Sequence, residues 1–128
     1  IDPVCMTLIS PSQSAYSYPL LIRQLLSRLN LVSACQEIVS GTDMRVSYAE
    51  FNERIGRLAN TLKLSGIGAD MRIGVMDWDS HRYLECFFAV PMMGAVLHTI
   101  NVRLSPAQVL YTINHGQPDL IIVHEDFM

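Results

Sequence analysis

Two aspartates, Asp77 and Asp79, flank Trp78 where the apolar run Arg72-Ile73-Gly74-Val75-Met76 gives way to polar residues. A carboxylate at a strand end can act as general acid or base, or can cap the helix that follows; capping is the favoured reading. Four histidines, His81, His98, His115 and His124, lack H-E-x-x-H spacing and nearby cysteines. Zinc needs three or four convergent ligands, so no metal site is expected. His98 at a strand end and His115 at a helix end are expected to approach each other in the fold, where α/β sheets place ligands. Gly66-Ile67-Gly68 has two glycines of a dinucleotide fingerprint but follows a helical stretch and precedes a strand, so it reads as a helix stop and turn. Ser40-Gly41-Thr42 lacks the further glycines and lysine of a phosphate loop and reads as a hairpin turn. No G-x-x-x-x-G-K-[ST] or G-x-S-x-G occurs, and the single lysine, Lys63, falls within a helical stretch. Cys86 lies in an apolar helical run, where a thiol is usually inert packing. Phe87-Phe88 and Met92-Met93 read as core rather than as an acyl pocket. No catalytic, cofactor-binding or metal-ligating residue is assigned.

The elements that must position these residues follow from periodicity and punctuation. Leu21, Leu25, Leu26 and Leu29 recur at helical spacing after Pro19, which predicts a helix over 19–31. Glu37–Ser40 and Met44–Ser47 flank Gly41-Thr42-Asp43 as a hairpin. Ser47-Tyr48-Ala49-Glu50 is a capping box for a helix over 48–65, with Phe51, Ile55, Leu58, Ala59 and Leu62 on one face and Gly66 as its left-handed stop. Residues 72–76 form a strand, Ser80 caps a helix running toward Met93, and residues 95–99 form the next strand. Ser105-Pro106-Ala107-Gln108 is a second capping box, its helix ended by Gly116 and Pro118, and residues 120–123 are the last strand. The predicted class is α/β: an N-terminal helix and hairpin, then β-α-β-α-β with right-handed crossovers over a mostly parallel sheet.

Composition bounds the function. Half of the 128 residues are hydrophobic and 16% are charged, which excludes disorder. A net charge of −3 with 9 basic residues leaves no cationic stripe, so nucleic acid is not an expected partner. The longest apolar run, Cys86 to Leu97, is broken by Pro91 and Gly94 and is too short to span a bilayer. Three cysteines, Cys5, Cys35 and Cys86, without a C-x-x-C pair or a secretory leader, point to a reducing, cytoplasmic setting. Residues 1–17 read as an extended lead-in that needs partner surface to become ordered, and Ile1-Asp2-Pro3, without an initiator methionine, is expected to be a remnant outside the fold. Residues 18–128 read as a partial subdomain, because the chain stops where an open sheet would continue. The uncovered sheet edge predicts self-association of the isolated chain.

Landmarks between Val46 and Val123 occur in a characteristic order. Ser47-Tyr48-Ala49-Glu50 opens a helix containing Arg57-Leu58-Ala59-Asn60-Thr61-Leu62, then come Gly66 to Ile73, Glu85-Cys86-Phe87-Phe88-Ala89 through Gly94-Ala95-Val96, and Asn101-Val102-Arg103-Leu104. This series resembles the N-terminal part of the AMP-forming, adenylate-forming acyl-CoA synthetase family, with its S/T-Y-x-E, R-L-A-x-x-L, G-V-x-x-G-D-R-V, E-x-F-F-A and N-P-R-L segments. His98-Thr99 and Ile113-Asn114-His115 look most like fatty-acyl-CoA ligases within it. Val102 departs from the usual proline, and Met76-Asp77-Trp78-Asp79-Ser80 from the usual L-x-N-S-type turn.

The resemblance implies a parent enzyme that activates a carboxylate with ATP to an acyl-adenylate and transfers the acyl group to coenzyme A, with Mg²⁺ as cofactor. The P-K-G phosphate loop, the Y-G-x-T-E segment, the ribose-binding aspartate and the lid lysine of that family are not among these 128 residues. The chain is therefore expected to bind none of these cofactors alone, to be structural, and to have the remainder of the parent as partner. Asn101, Arg103, His98 and His115 receive no role. Two alternatives stand: a free-standing α/β binding module, or the same subdomain of an aryl-acid, amino-acid or luciferin-type ligase.

Overall fold

A computed structural model describes residues 12–16, 18, 21–42 and 44–128. Most of the lead-in, including Ser10 and Pro11, and the helix-opening Pro19 lie outside them. Within residues 12–16, Ser12 to Ala15 close a turn through Ala15 N–H donating to the Ser12 carbonyl at 2.9 Å.

Helix α1 spans Ile22–Ser33, three residues later at its start than periodicity predicts and two later at its end. Leu21 is extended and lacks a capping side chain. No breaker stands after Leu31, and the helix ends where Ala34 and Gln36 carbonyls accept from Ala49 and Tyr48. Of the described leucines in the predicted stripe, Leu26 is buried while Leu21 and Leu25 are exposed. The stripe is therefore only partly spent on the core.

Strands β1 (Glu37–Ser40) and β2 (Met44–Ser47) form the expected antiparallel hairpin, in register from Glu37 opposite Ser47 to Ser40 opposite Met44. Helix α2 (Tyr48–Leu64) begins with the reciprocal box: Glu50 N–H donates to Ser47 Oγ at 3.2 Å and Ser47 N–H to Glu50 Oε2 at 2.8 Å. Gly66, at φ 86°, stops it as predicted. Strand β3 (Arg72–Met76), helix α3 (His81–Met92), strand β4 (Val96–Thr99), helix α4 (Pro106–Gly116), strand β5 (Leu120–Val123) and a 3-10 turn at Glu125–Phe127 complete the order.

The three later strands form a parallel sheet in the order β4-β3-β5. Register places Gly74 beside His98 and Ile121, so these three share one face. Ile73 and Val75 point the other way, into a core with Leu62 of α2 and Cys86 and Val90 of α3. A second cluster joins Leu26, Val46, Phe51, Ile55 and Ala89, with Phe51 and Phe88 edge to face at 5.6 Å. Glu85 is buried beneath this helix pair, and Arg54 Nε donates to its Oε1 at 2.6 Å. Phe88 and Met93 pack against the core as expected, whereas Phe87 and Met92 keep substantial exposure.

Helix α4 lies against the opposite face, where His98 packs beneath Gly116, and it contributes no fully buried side chain. Helix α4 ends at Gly116, as the sequence predicts. The left-handed conformation that follows belongs to Gln117, at φ 47°. Gly116 is the last helical residue, and its missing side chain makes room for the His98 imidazole. Among the described residues no helix is long and apolar enough to cross a membrane.

Candidate functional site

Because α3 and α4 leave β3 and β4 toward opposite faces, the connections that follow the two strands part beyond their C-terminal ends, the position where open α/β sheets form a ligand crevice. Two bonds carry the ladder past the strand ends: Ile100 N–H donates to the Val75 carbonyl and His124 N–H to the Met76 carbonyl, each at 2.9 Å. The crevice encloses about 210 Å³ between the β3–α3 turn, with Asp77, Trp78 and Asp79, and the β4–α4 turn, with Asn101 and Arg103.

The β3–α3 turn is built around Ser80. Its hydroxyl accepts from Tyr83 N–H at 3.3 Å and caps α3, while donating to Asp77 Oδ2 at 2.7 Å. The capping role expected of the aspartates thus belongs to Ser80, and Asp77 acts only by holding the cap hydroxyl. Asp79 lines both the crevice and a neighbouring cleft of about 350 Å³ between the hairpin and α3. Trp78 is pinned against the 3-10 turn that follows β5: its indole Nε1–H donates to Asp126 Oδ2 at 2.7 Å and its ring packs on Phe127 at 4.8 Å. Opposite, Asn101 Oδ1 accepts from Arg103 N–H at 2.9 Å, an Asx turn that sets the loop.

Burial shapes the titration of the surrounding groups. It raises Tyr83 above the usual phenol range, opposed by a hydrogen bond with Thr99 and reinforced by Asp79 and Asp77. His81 is pushed down by burial against the opposing pull of Glu85. The Cys86 thiol is pushed up to about 11, again by burial first.

The four histidines are dispersed. His98 lies under Gly116, one residue from His115, but the exposed His115 ring stacks on Tyr111 at 5.7 Å. His81 lines the hairpin cleft, and His124 Nδ1 accepts from Asp126 N–H at 3.2 Å. Among the described residues no group of three or more His, Cys, Asp or Glu side chains is arranged to hold a metal ion. The crevice lining offers two carboxylates, Asp77 and Asp79, and one guanidinium, Arg103. Lys63 lines a separate surface cleft beside Gly68. Trp78, Tyr83 and Thr99 of the crevice wall were not singled out as site residues by spacing. The signal that points to them is the pair of consecutive strand ends with helices leaving to opposite faces.

Comparison with known proteins bears on residues 30–127, which match the model of the family described as AMP-binding enzyme. The chain is 41% identical to a long-chain-fatty-acid–CoA ligase of Thermus thermophilus over 91 residues, covering 68% of this chain and 17% of that protein. It is 31% identical to 4-hydroxybutyrate–CoA ligase 2 of Metallosphaera sedula over 122 residues, covering 94% and 22%. Among solved structures it superposes on a fatty acyl CoA synthetase of Mycobacterium tuberculosis with a TM-score of 0.72 at 25% identity, covering 78% of this chain and 20% of that one. An anthranilate CoA ligase in complex with anthranoyl-AMP shares the fold with a TM-score of 0.75 at 24% identity, covering 81% and 20%. The chain spans about a fifth of the length of the curated relatives it matches.

Proposed function

The chain belongs to the AMP-binding enzyme family, and from that premise we propose that it is the N-terminal portion of an ATP-dependent medium- or long-chain fatty-acyl-CoA ligase. The observation that carries the reading is the 41% identity to the long-chain enzyme over 91 residues. The reaction of the longer protein is carboxylate, ATP and coenzyme A to acyl-CoA, AMP and pyrophosphate through an acyl-adenylate. This segment's part in it is scaffolding: the α2–α3 core and the parallel sheet hold a rigid body against which the ATP-, Mg²⁺- and coenzyme-A-binding parts of the longer protein are built. On this reading no catalytic step is assigned to the described residues.

The test is pyrophosphate release by the longer protein with ATP and coenzyme A across octanoate, palmitate, 4-hydroxybutyrate, 3-methylmercaptopropionate and anthranilate. A preference of at least tenfold in kcat/KM for either fatty acid supports the reading. A preference for anthranilate would move it to the aryl-acid ligases, a second reading favoured by the anthranilate CoA ligase likeness. The 128-residue chain alone turns over none of them. Alone it self-associates, because Leu31 and Tyr111 are largely exposed and, among the described residues, β4 and β5 each leave one edge unpaired. A strictly monomeric mass by light scattering at high concentration would contradict that. A cytoplasmic setting is part of the same reading, supported by the three cysteines without a C-x-x-C pair, and is tested by fractionating cells that express the longer protein.

A further inference from the structure

Helix α1 carries more apolar surface than the core takes up. Leu26 is 3% exposed and packs with Phe51 and Ile55, whereas Leu25 is 62% exposed and Val32 79%. Positions 21, 25, 28 and 32 are spaced four, three and four apart, so Leu21, Leu25, Arg28 and Val32 line one side of the helix and its entry. Tyr18 extends that side, bordering with Leu21, Leu25 and Arg28 a groove of about 360 Å³. Tyr16, itself exposed, stacks on Tyr18 at 6.2 Å. Single exposed apolar residues are ordinary, but a contiguous strip of them marks a surface that meets something.

Charge identifies what it meets. The chain is acidic overall, at −3, yet no aspartate or glutamate occurs from Pro3 to Gln36, where Arg23 and Arg28 are the charged residues. Both are exposed, and neither belongs to an ion pair among the described residues. A second copy laid stripe to stripe would face Arg28 with another α1 that has no acid to offer, and like charges brought together out of water repel. A lipid surface with anionic headgroups answers both the apolar strip and the unmatched cations. A basic amphipathic helix lies in the plane of such an interface with its aliphatic side chains among the upper acyl carbons. Arginine reaches back from there to the phosphates, and tyrosine settles at headgroup level. At 12 residues, α1 is too short to cross a bilayer and lies along its surface.

We propose that α1 and the Tyr16/Tyr18 pair at its entry form a docking surface for an anionic lipid bilayer, with Leu21, Leu25 and Val32 in the interface and Arg28 on phosphate. The proposal rests on this surface and is independent of the ligase reading.

The test is flotation of the 128-residue chain with vesicles of phosphatidylglycerol and phosphatidylcholine in equal parts; bound chain rises with the vesicles, while self-associated chain sinks. At least fivefold more chain should float with these than with phosphatidylcholine alone, and the excess should shrink as salt is raised. Leu25→Gln alters an exposed site at similar helix propensity and should cut the floated fraction at least threefold while circular dichroism stays native. Arg28→Gln should remove most of the salt dependence. If either variant fails to fold, amide hydrogen exchange of the unaltered chain decides: the mixed vesicles should slow the α1 amides, and phosphatidylcholine alone should not. The longer protein should show the same lipid preference. Equal flotation with both vesicle types, or undiminished flotation of a folded Leu25→Gln variant, would overturn the proposal. Binding by the short chain that disappears in the longer protein would also overturn it, by assigning α1 to a contact within that protein. Absence of flotation together with loss of self-association in Leu25→Gln would assign the face to a second copy instead.

Discussion

Replacing Gly116 with alanine pits helix propensity against packing, and the structure says which wins. Gly116 is helical, without the positive φ that would itself forbid a side chain. Alanine there gains up to about 1 kcal/mol in a helix interior and only a few tenths at a last residue, where the backbone is half free. Against this, a Cβ built on Gly116 falls 2.6 Å from His98 Nδ1 and closer still to Cε1. Ordinary contacts of this kind lie near 3.5–4.0 Å, so the imidazole must retreat by about 1 Å or the end of α4 must lift. Overpacking of this order costs about 1–3 kcal/mol. The low end applies, because α4 buries no side chain and can yield. The expected net destabilisation is about 0.5–1 kcal/mol. Urea unfolding followed by circular dichroism measures it as a lowered midpoint at unchanged slope. In an His98→Ala background the same change should be neutral or slightly stabilising, which gives a coupling of about 1 kcal/mol in the double-mutant cycle. A Gly116→Ala chain as stable as the original, or a coupling below about 0.5 kcal/mol, would refute the reasoning.

Ser47→Ala removes the hydroxyl that accepts from Glu50 N–H and should cost about 1 kcal/mol in the same unfolding assay; a change within about 0.2 kcal/mol would show that α2 is held by its packed face alone. Burial holds His81 below its ordinary 6.5, so the unfolded chain takes up a proton before the native one does. The sign is therefore that stability is intact above about pH 6.5 and falls as pH drops from there through the lower folded value, and His81→Gln should flatten that part of a stability-versus-pH curve. A curve with unchanged slope in the variant would assign the pH dependence elsewhere. Cys35 is exposed whereas Cys86 is buried with its thiol pushed up to about 11, so iodoacetamide at pH 8 followed by peptide mapping should label Cys35 at least tenfold faster. Equal rates would mean that α3 opens readily.

The hairpin, α2, β3, β4, α4 and β5 were all legible in the sequence to within a residue or so, because each is announced by interactions within three or four residues. The Ser47/Glu50 box, the Ser105/Gln108 pair and the glycine at 66 act locally, whatever the remainder of the fold does. Landmark order along the chain carried the family for the same reason, as a linear property. The start of α1 was misplaced because Leu21 and Leu25 have helical spacing but little core to bury in, and periodicity cannot distinguish a buried stripe from an exposed one. The crevice lies further from the sequence still. Asp77 and Arg103 are 26 positions apart and share a wall only because α3 and α4 leave adjacent strands to opposite faces. Likewise Gly116 reads as a helix stop and is one, but only the parallel register that brings His98 beneath it shows that its missing side chain also makes space. Local chemistry is written in short spacings; contacts across the sheet depend on strand order and crossover hand, which exist only once the chain has folded.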